Sequence, residues 1–225
     1  MGICALLFDC DGTILDSRNT IRRCVNATVK AFGFPEFTDE EFKTFYGCTL
    51  EEILRKRSEK IEEMVSYYRN LMLSTFSQDT SVFPQIIPVL NFLKGSGIPM
   101  GVITMRSSEI AGKILSHFGL MPYFQAVYGC DNTAHPKPAP DAVVEFASLV
   151  NVPVWQVGVV GDTKFDMLTA KNSGAIGIGV LWGSGTMEDL LGAGADYIVA
   201  DGNGLIEVIR TEMGTREHSR NSVGV

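Results

Sequence analysis

Two aspartates, Asp9 and Asp11, stand two positions apart at the end of an apolar run, in LLFDCDGT at residues 6–13. Carboxylates this close repel each other, and burial in a domain raises the cost. A second acidic pair, Asp162 and Asp166, follows another apolar run in VGVVGDTKFDM. Four converging carboxylates need a cation. An all-oxygen donor set suits a hard divalent ion, and Mg²⁺ is the ion expected where phosphate is handled. The three histidines, His117, His135 and His218, are dispersed and form no competing nitrogen site.

Three further segments carry groups that suit phosphate chemistry. Gly12 permits a tight turn after the first acidic pair, and Thr13 offers a hydroxyl or a backbone N–H. In VITMRSSE, Thr104 either holds a phosphate oxygen together with the N–H groups of the next helix, or is an ordinary strand residue before a cap at Ser107. In HPKPAPD, prolines on both sides stiffen the backbone around Lys137, so this cation is placed rather than solvated. Beside carboxylates it can neutralise a nucleophile and a phosphoryl group together.

These loops need elements that bring them to one edge. ICALLF (3–8), IPMGVIT (98–104), QAVYG (125–129), QVGVVG (156–161), AIGIGVL (175–181) and DYIVA (196–200) read as strands apolar on both faces, which suits a parallel sheet covered by helices. SSEIAGKILSHFG, APDAVVEFASLVN and TKFDMLTAKNSG between them have helical spacing. The alternation predicts an α/β fold with a Rossmann-like, doubly wound parallel sheet, whose loops at the carboxyl ends of the strands form the ligand edge. From about Ser17 to Val82 only amphipathic helices are expected. The domain reading is therefore a core at 1–16 and 83–225, with a small all-helical cap inserted at 17–82, poised over that edge. The polar tail TREHSRNSVGV is expected to fray.

Composition narrows the partners. With 225 residues, 45% of them hydrophobic, the chain can bury one sizeable core and a small accessory domain. A net charge of -7 argues against nucleic acid and against an anionic membrane surface. No apolar run approaches the roughly 20 residues of a spanning helix, and MGICALLFDCDG lacks the basic start of a signal peptide, so a cytoplasmic protein is expected. The five cysteines, Cys4, Cys10, Cys24, Cys48 and Cys130, form no CxxC pair and are expected as reduced packing residues. The glycines of GAIGIGVLWGSGT show no GxGxxG and read as a strand with its loop.

In order, FDCDGT, the VITM threonine, HPKPAPD and VGDTKFD resemble the four motifs of the haloacid dehalogenase superfamily, and among its branches look most like the phosphoglycolate-phosphatase-like one. The resemblance spans residues 3–210 and includes the helical cap. It implies Mg²⁺-dependent phosphoryl transfer through an aspartyl-phosphate. Asp9 would be the nucleophile and Asp11 the general acid and then base. Thr104 and Lys137 would hold phosphoryl oxygens. Asp162, Asp9 and the backbone carbonyl of Asp11 would ligate the metal, with Asp166 supporting its water shell or Lys137. Asp11 itself points to phosphate esters, because the dehalogenase and phosphonatase branches lack this second aspartate.

The cap selects the leaving group in such enzymes. Gly47 and Thr49, around Cys48 in YGCTLEEIL, resemble the cap loop that reaches into the site. Leu50 stands where mutases acting on glucose phosphates carry an arginine, which weighs against a phosphosugar mutase. Met105 replaces the asparagine or serine common after the motif threonine, and Arg106 either meets a substrate carboxylate or lies on the surface. The expected partner is a small phosphorylated metabolite such as phosphoglycolate, with pyrophosphate or a nucleotide as alternatives, handled by a monomer or homodimer. Two non-enzymatic readings, a receiver-like phosphoacceptor and a silent phospho-binding module, predict no turnover; in a receiver the nucleophile and the acidic pair follow different strands, whereas here Asp9 and Asp11 share one loop.

Overall fold

A computed structural model describes residues 2–45 and 47–221, with side chains described up to residue 213. The chain opens with β1 (Ala5–Asp9) and the short β2 (Leu15–Asp16), then runs through four helices, α1 (Arg18–Ala31), α2 (Asp39–Lys43), α3 (Leu50–Leu54) and α4 (Glu62–Asp79). It returns through β3 (Ser81–Val82) and continues α5 (Ile86–Gly95), β4 (Met100–Ile103), α6 (Ser108–His117), β5 (Ala126–Tyr128), α7 (Asp141–Leu149), β6 (Val157–Gly161), α8 (Lys164–Ser173), β7 (Ile176–Val180), α9 (Met187–Gly192), β8 (Tyr197–Val199) and α10 (Gly202–Asn221). Of the polar tail expected to fray, residues 215–221 instead continue α10; residues 222–225 lie outside the described residues, as do the side chains from 214 onward.

Six strands form one sheet in the order β5-β4-β1-β6-β7-β8, and every neighbouring pair is parallel. The apolar runs explain this. Leu6 and Phe8 face one side of β1, in a cluster with Val102, Val160, Ile178 and the helices α5, α6 and α10. Ala5 and Leu7 face the other, with Val157, Val159 and residues of α7 and α8. Strands buried on both faces cannot alternate with polar residues, and right-handed helical crossovers cover both faces. The order reverses between β1 and β6, so the gap at their carboxyl ends is the topological switch point.

The helices between β2 and β3 make the cap. Thr38 and Thr49 start α2 and α3 with reciprocal capping boxes, to Glu41 and Glu52 respectively. In α1 the buried positions Cys24, Val25, Thr28 and Val29 recur at helical spacing and pack on α4. Cap residues Phe37, Phe42, Phe45 and Met64 belong to the same apolar cluster as the α5–α6 face of the sheet. Not anticipated, besides α5, α9 and α10, is the antiparallel pair β2–β3, Leu15 with Val82 and Asp16 with Ser81, which ties the two chain crossings between cap and core. Two-residue strands show no period and are invisible to pattern reading. No described helix is long and apolar enough to cross a membrane, and all five cysteines are free thiols.

Phe8 is fully buried in the central strand. Phe8→Ala is expected to cost about 3–5 kcal/mol, read as a shift in the urea midpoint at unchanged slope. A loss below about 1 kcal/mol would place Phe8 outside the tightly packed core.

Candidate active site

Asp9 ends β1, and Asp162 follows directly on β6, its neighbour in the sheet. Both carboxylates therefore emerge at the switch point. Asp166 sits on the first turn of α8, where its Oδ2 accepts from the Thr163 N–H at 2.9 Å and the Thr163 hydroxyl at 2.6 Å. Lys137, between two prolines, reaches in from the loop after β5. Its Nζ donates to Asp9 Oδ1 at 2.5 Å and to Asp166 Oδ1 at 2.6 Å. Asp162 accepts the Ser184 N–H at 2.7 Å and, weakly, the Thr13 hydroxyl at 3.4 Å. Backbone without side chains makes the crowding possible: Gly12 has φ +95°, and a Cβ there, or at Gly183, would overlap the Asp162 carboxylate.

Burial and like charge dominate the electrostatics. Desolvation is the largest influence on Asp9 and pushes it well above the usual carboxylate range, with Asp166 and Asp162 adding to the rise and Lys137 opposing it. Burial first, then Asp166, pushes Asp162 up to about 6. For Lys137, burial alone favours the neutral amine, but Asp166 and Asp9 outweigh it and hold the charge firmly.

One oxygen each from Asp9, Asp162 and Asp166 lies within 4.8 Å of the others, and all three residues are buried. Three carboxylates share one ammonium, an excess of negative charge that an isolated buried site does not sustain. An oxygen-only donor set with this excess fits a hard divalent cation. Asp166 has short hydrogen bonds on both oxygens, whereas one Asp162 oxygen has only the 3.4 Å contact from Thr13, which leaves Asp9 and Asp162 the freer ligands.

Asp11 faces elsewhere. Its Oδ1 accepts from Arg106 Nη2 at 2.5 Å and from the Ser17 hydroxyl at 2.5 Å, and its Oδ2 accepts from Arg106 Nε at 3.1 Å. Burial alone would raise its pKa, but the guanidinium and the Ser17 hydroxyl hold it below the ordinary value. The Arg106 side chain is only 6% exposed, so it is no surface cation. Its Nη1 is the one buried side-chain nitrogen or oxygen among the described residues without a hydrogen-bond partner. The Thr104 hydroxyl accepts the Arg106 N–H at 3.1 Å, so its own proton is available to a ligand.

A cavity of about 380 Å³ lies between cap and core, and its walls include Asp9, Asp11, Lys137, Asp162, Thr104 and Arg106. Met105 and, from the cap loop, Gly47 line it too. Two expected substrate contacts do not. Thr49 spends its hydroxyl on capping α3, accepting the Glu52 N–H at 3.2 Å and donating to the Glu52 carboxylate at 3.0 Å. Thr13 is wholly buried behind Asp162, and its carbonyl accepts from Trp182 Nε1 at 3.1 Å. Tyr46 of the same cap loop lies outside the described residues.

Residues 6–180 match the model of the haloacid dehalogenase-like hydrolases. The chain belongs to that family. It is 29% identical to a phosphoglycolate phosphatase of Aquifex aeolicus over 180 residues, covering 79% of this chain and 84% of that protein. It is 27% identical to the pyrophosphatase PpaX of Bacillus velezensis over 207 residues, covering 92% and 96%. Among solved structures, a haloacid dehalogenase-like hydrolase of Streptococcus pneumoniae superposes with a TM-score of 0.81 at 29% identity, covering 91% and 97% of the two chains.

Within this haloacid dehalogenase-like chain, three site residues escaped pattern reading. Ser17 supports Asp11 from the last position before α1. Ser184 and its flanking glycines back Asp162, so the WGSG segment is part of the site rather than a plain connection. Tyr68, from α4, is buried beside Arg106, and burial first of all raises its pKa. The doublet of glycines around Ser184 was the available signal; nothing local marked Tyr68.

A carboxylate whose folded pKa is raised above its unfolded one contributes stability that is fully present below the unfolded value and is lost as pH rises through the folded one. For Asp162 that window runs from the ordinary 3.8 to about 6. The cation-free protein should therefore lose thermal midpoint across this window, and Asp162→Asn should flatten the loss. A divalent cation should restore the midpoint above pH 6 in the wild type but not in Asp162→Asn. Identical cation responses in the two proteins would exclude Asp162 as a ligand.

Proposed function

We propose that this chain is a Mg²⁺-dependent phosphatase that hydrolyses a small phosphomonoester through an aspartyl-phosphate. The observation that carries the reading is Lys137 Nζ seated 2.5 Å from Asp9 Oδ1 and 2.6 Å from Asp166 Oδ1, with Asp162 alongside, at the switch point beneath the cap. Lys137 takes one oxygen of Asp9, and the other attacks phosphorus. Asp11, which Arg106 and Ser17 hold ionised in the free site, takes the proton of the entering monoanionic ester and passes it to the departing alkoxide as the ester P–O bond breaks. Asp11 then takes a proton from water, which attacks the aspartyl-phosphate and frees Asp9 and inorganic phosphate. Thr104 and Lys137 hold the phosphoryl oxygens, and Asp166 positions Lys137. Asp9, Asp162 and the backbone carbonyl of Asp11 would hold Mg²⁺, whose charge offsets that of the phosphoryl group. Residues 17–82 act as the cap that excludes water. Arg106 is a positioning residue that fixes the Asp11 carboxylate through a two-point contact.

The first experiment is phosphate release from a panel of phosphomonoesters and pyrophosphate, with and without Mg²⁺. Asp9→Asn should abolish release while the circular dichroism spectrum is unchanged; more than a few per cent residual turnover would remove Asp9 as nucleophile. Arg106→Met should lower kcat about a hundredfold through misplacement of Asp11. It should also move the pH profile upward, because burial then acts on Asp11 without the opposing guanidinium. An unchanged profile would assign Arg106 a structural role alone.

A further inference from the structure

The cavity has two chemically different ends. The core end carries the carboxylates, Lys137 and Thr104. The opposite wall, supplied by the cap and α6, carries an apolar patch of Ile21 from α1, Phe42, Leu50 and Ile53 from α2 and α3, and Ile110, beside the charged cap residues Arg18, Arg22, Lys43, Glu51 and Arg69. Around that wall the cations are engaged: Arg18 donates to the Gly183 carbonyl at 2.9 Å, and the others pair with carboxylates. Arg22 pairs with Asp39, Lys43 with Glu40 at 2.8 Å, Arg69 with Glu51 at 3.5 Å, and Arg106 with Asp11. Nη1 of Arg106, beside Tyr68, adds no unmatched charge, because the guanidinium pairs with Asp11.

A second carboxylate or phosphate on the leaving group would have to shed water against apolar side chains and compete for cations that already have partners. Size points the same way. A volume of 380 Å³ is room for about a dozen waters at roughly 30 Å³ each. It falls in the range of about 300–1,000 Å³ that encloses drug-sized ligands. A phosphoryl group with a two-carbon acid leaves much of it empty, and its apolar wall uncovered.

Resting on the phosphatase reading above, we propose that the substrate is a phosphomonoester of a mid-sized, uncharged and largely apolar alcohol, whose body lies on the cap patch formed by Ile21, Phe42, Leu50, Ile53 and Ile110. Selectivity for this chain is then hydrophobic, in contrast to the compact anionic substrates in the names of its relatives.

The test is a chain-length series. Initial rates are measured with Mg²⁺ on ethyl, butyl and hexyl phosphate, on phosphoglycolate and on pyrophosphate, with Asp9→Asn as blank. Burial of each methylene should raise kcat/KM about fourfold until the wall is covered, and hexyl phosphate should exceed phosphoglycolate and pyrophosphate. Ile21→Trp, or Leu50→Trp should the first not fold, shortens the space and should flatten the dependence on chain length. Phosphate release with phosphoglycolate or pyrophosphate ahead, or a flat series in the wild type, overturns the inference and leaves the phosphatase reading standing. No release from any compound overturns both.

Discussion

One ammonium shared by buried carboxylates is the constraint on which this structure turns. Lys137 bonds Asp9 and Asp166, and Asp162 lies within ligand distance of both. Such a cluster costs folding energy, and removing its cation would leave charges buried without compensation, at about 3–5 kcal/mol. It persists because each member is held by something that cannot easily yield. Asp9 is the end of a fully buried strand, Asp166 is clasped by the Thr163 capping box, and Asp162 is wedged between glycines. A buried site with this excess of negative charge is one that a cation among the carboxylates would relieve.

The sheet exists to hold that cluster at one point. Strand order 5-4-1-6-7-8 makes β1 and β6 neighbours, so two acidic loops separated by about 150 residues of chain meet at one edge. The cap enters from the same edge through the β2–β3 pair, and its apolar cluster is continuous with one face of the sheet. Gly47 of the cap loop abuts the Phe165 ring, so closely that a side chain there would overlap it, and Phe76 of α4 meets His117 of α6 edge-on at 4.9 Å. Cap and core are thus joined by packing at two places besides the chain crossings, and any opening of the cavity has to part these contacts.

Much of this was legible from residue types. Strands buried on both faces announce themselves as apolar runs, which is why all six sheet strands were readable within a few residues of their ends. Asp9, Asp162, Thr104 and Lys137 were readable because each combines a chemically active side chain with a loop-forming neighbour at a strand end. What stayed hidden depends on contacts distant in sequence. Arg106 read equally well as a surface group, because its partner Asp11 lies 95 positions away. Thr49 looked like a site residue from its loop, yet a Glu three positions on is a local and competing partner for its hydroxyl. Ser184 supports Asp162 through its backbone N–H, a group every residue but proline carries, so its side-chain identity says nothing.

The division of the cavity follows from the same logic. Every charge that the core end needs comes from loops of the sheet, where strand ends fix position to within a bond length or so. The cap contributes side chains of another kind, because its helices bury apolar faces against α4 and one another, and part of that apolar surface borders the cavity. An apolar wall opposite a charged floor is therefore what a small helical cap provides by default, and a cap must add unmatched cations to recognise a second anion. In this chain Arg22, Arg69 and Lys43 of the cap have carboxylate partners, and Arg18 donates to the Gly183 carbonyl. Their charge stabilises the cap, and the leaving group is left to be chosen by shape and apolar area.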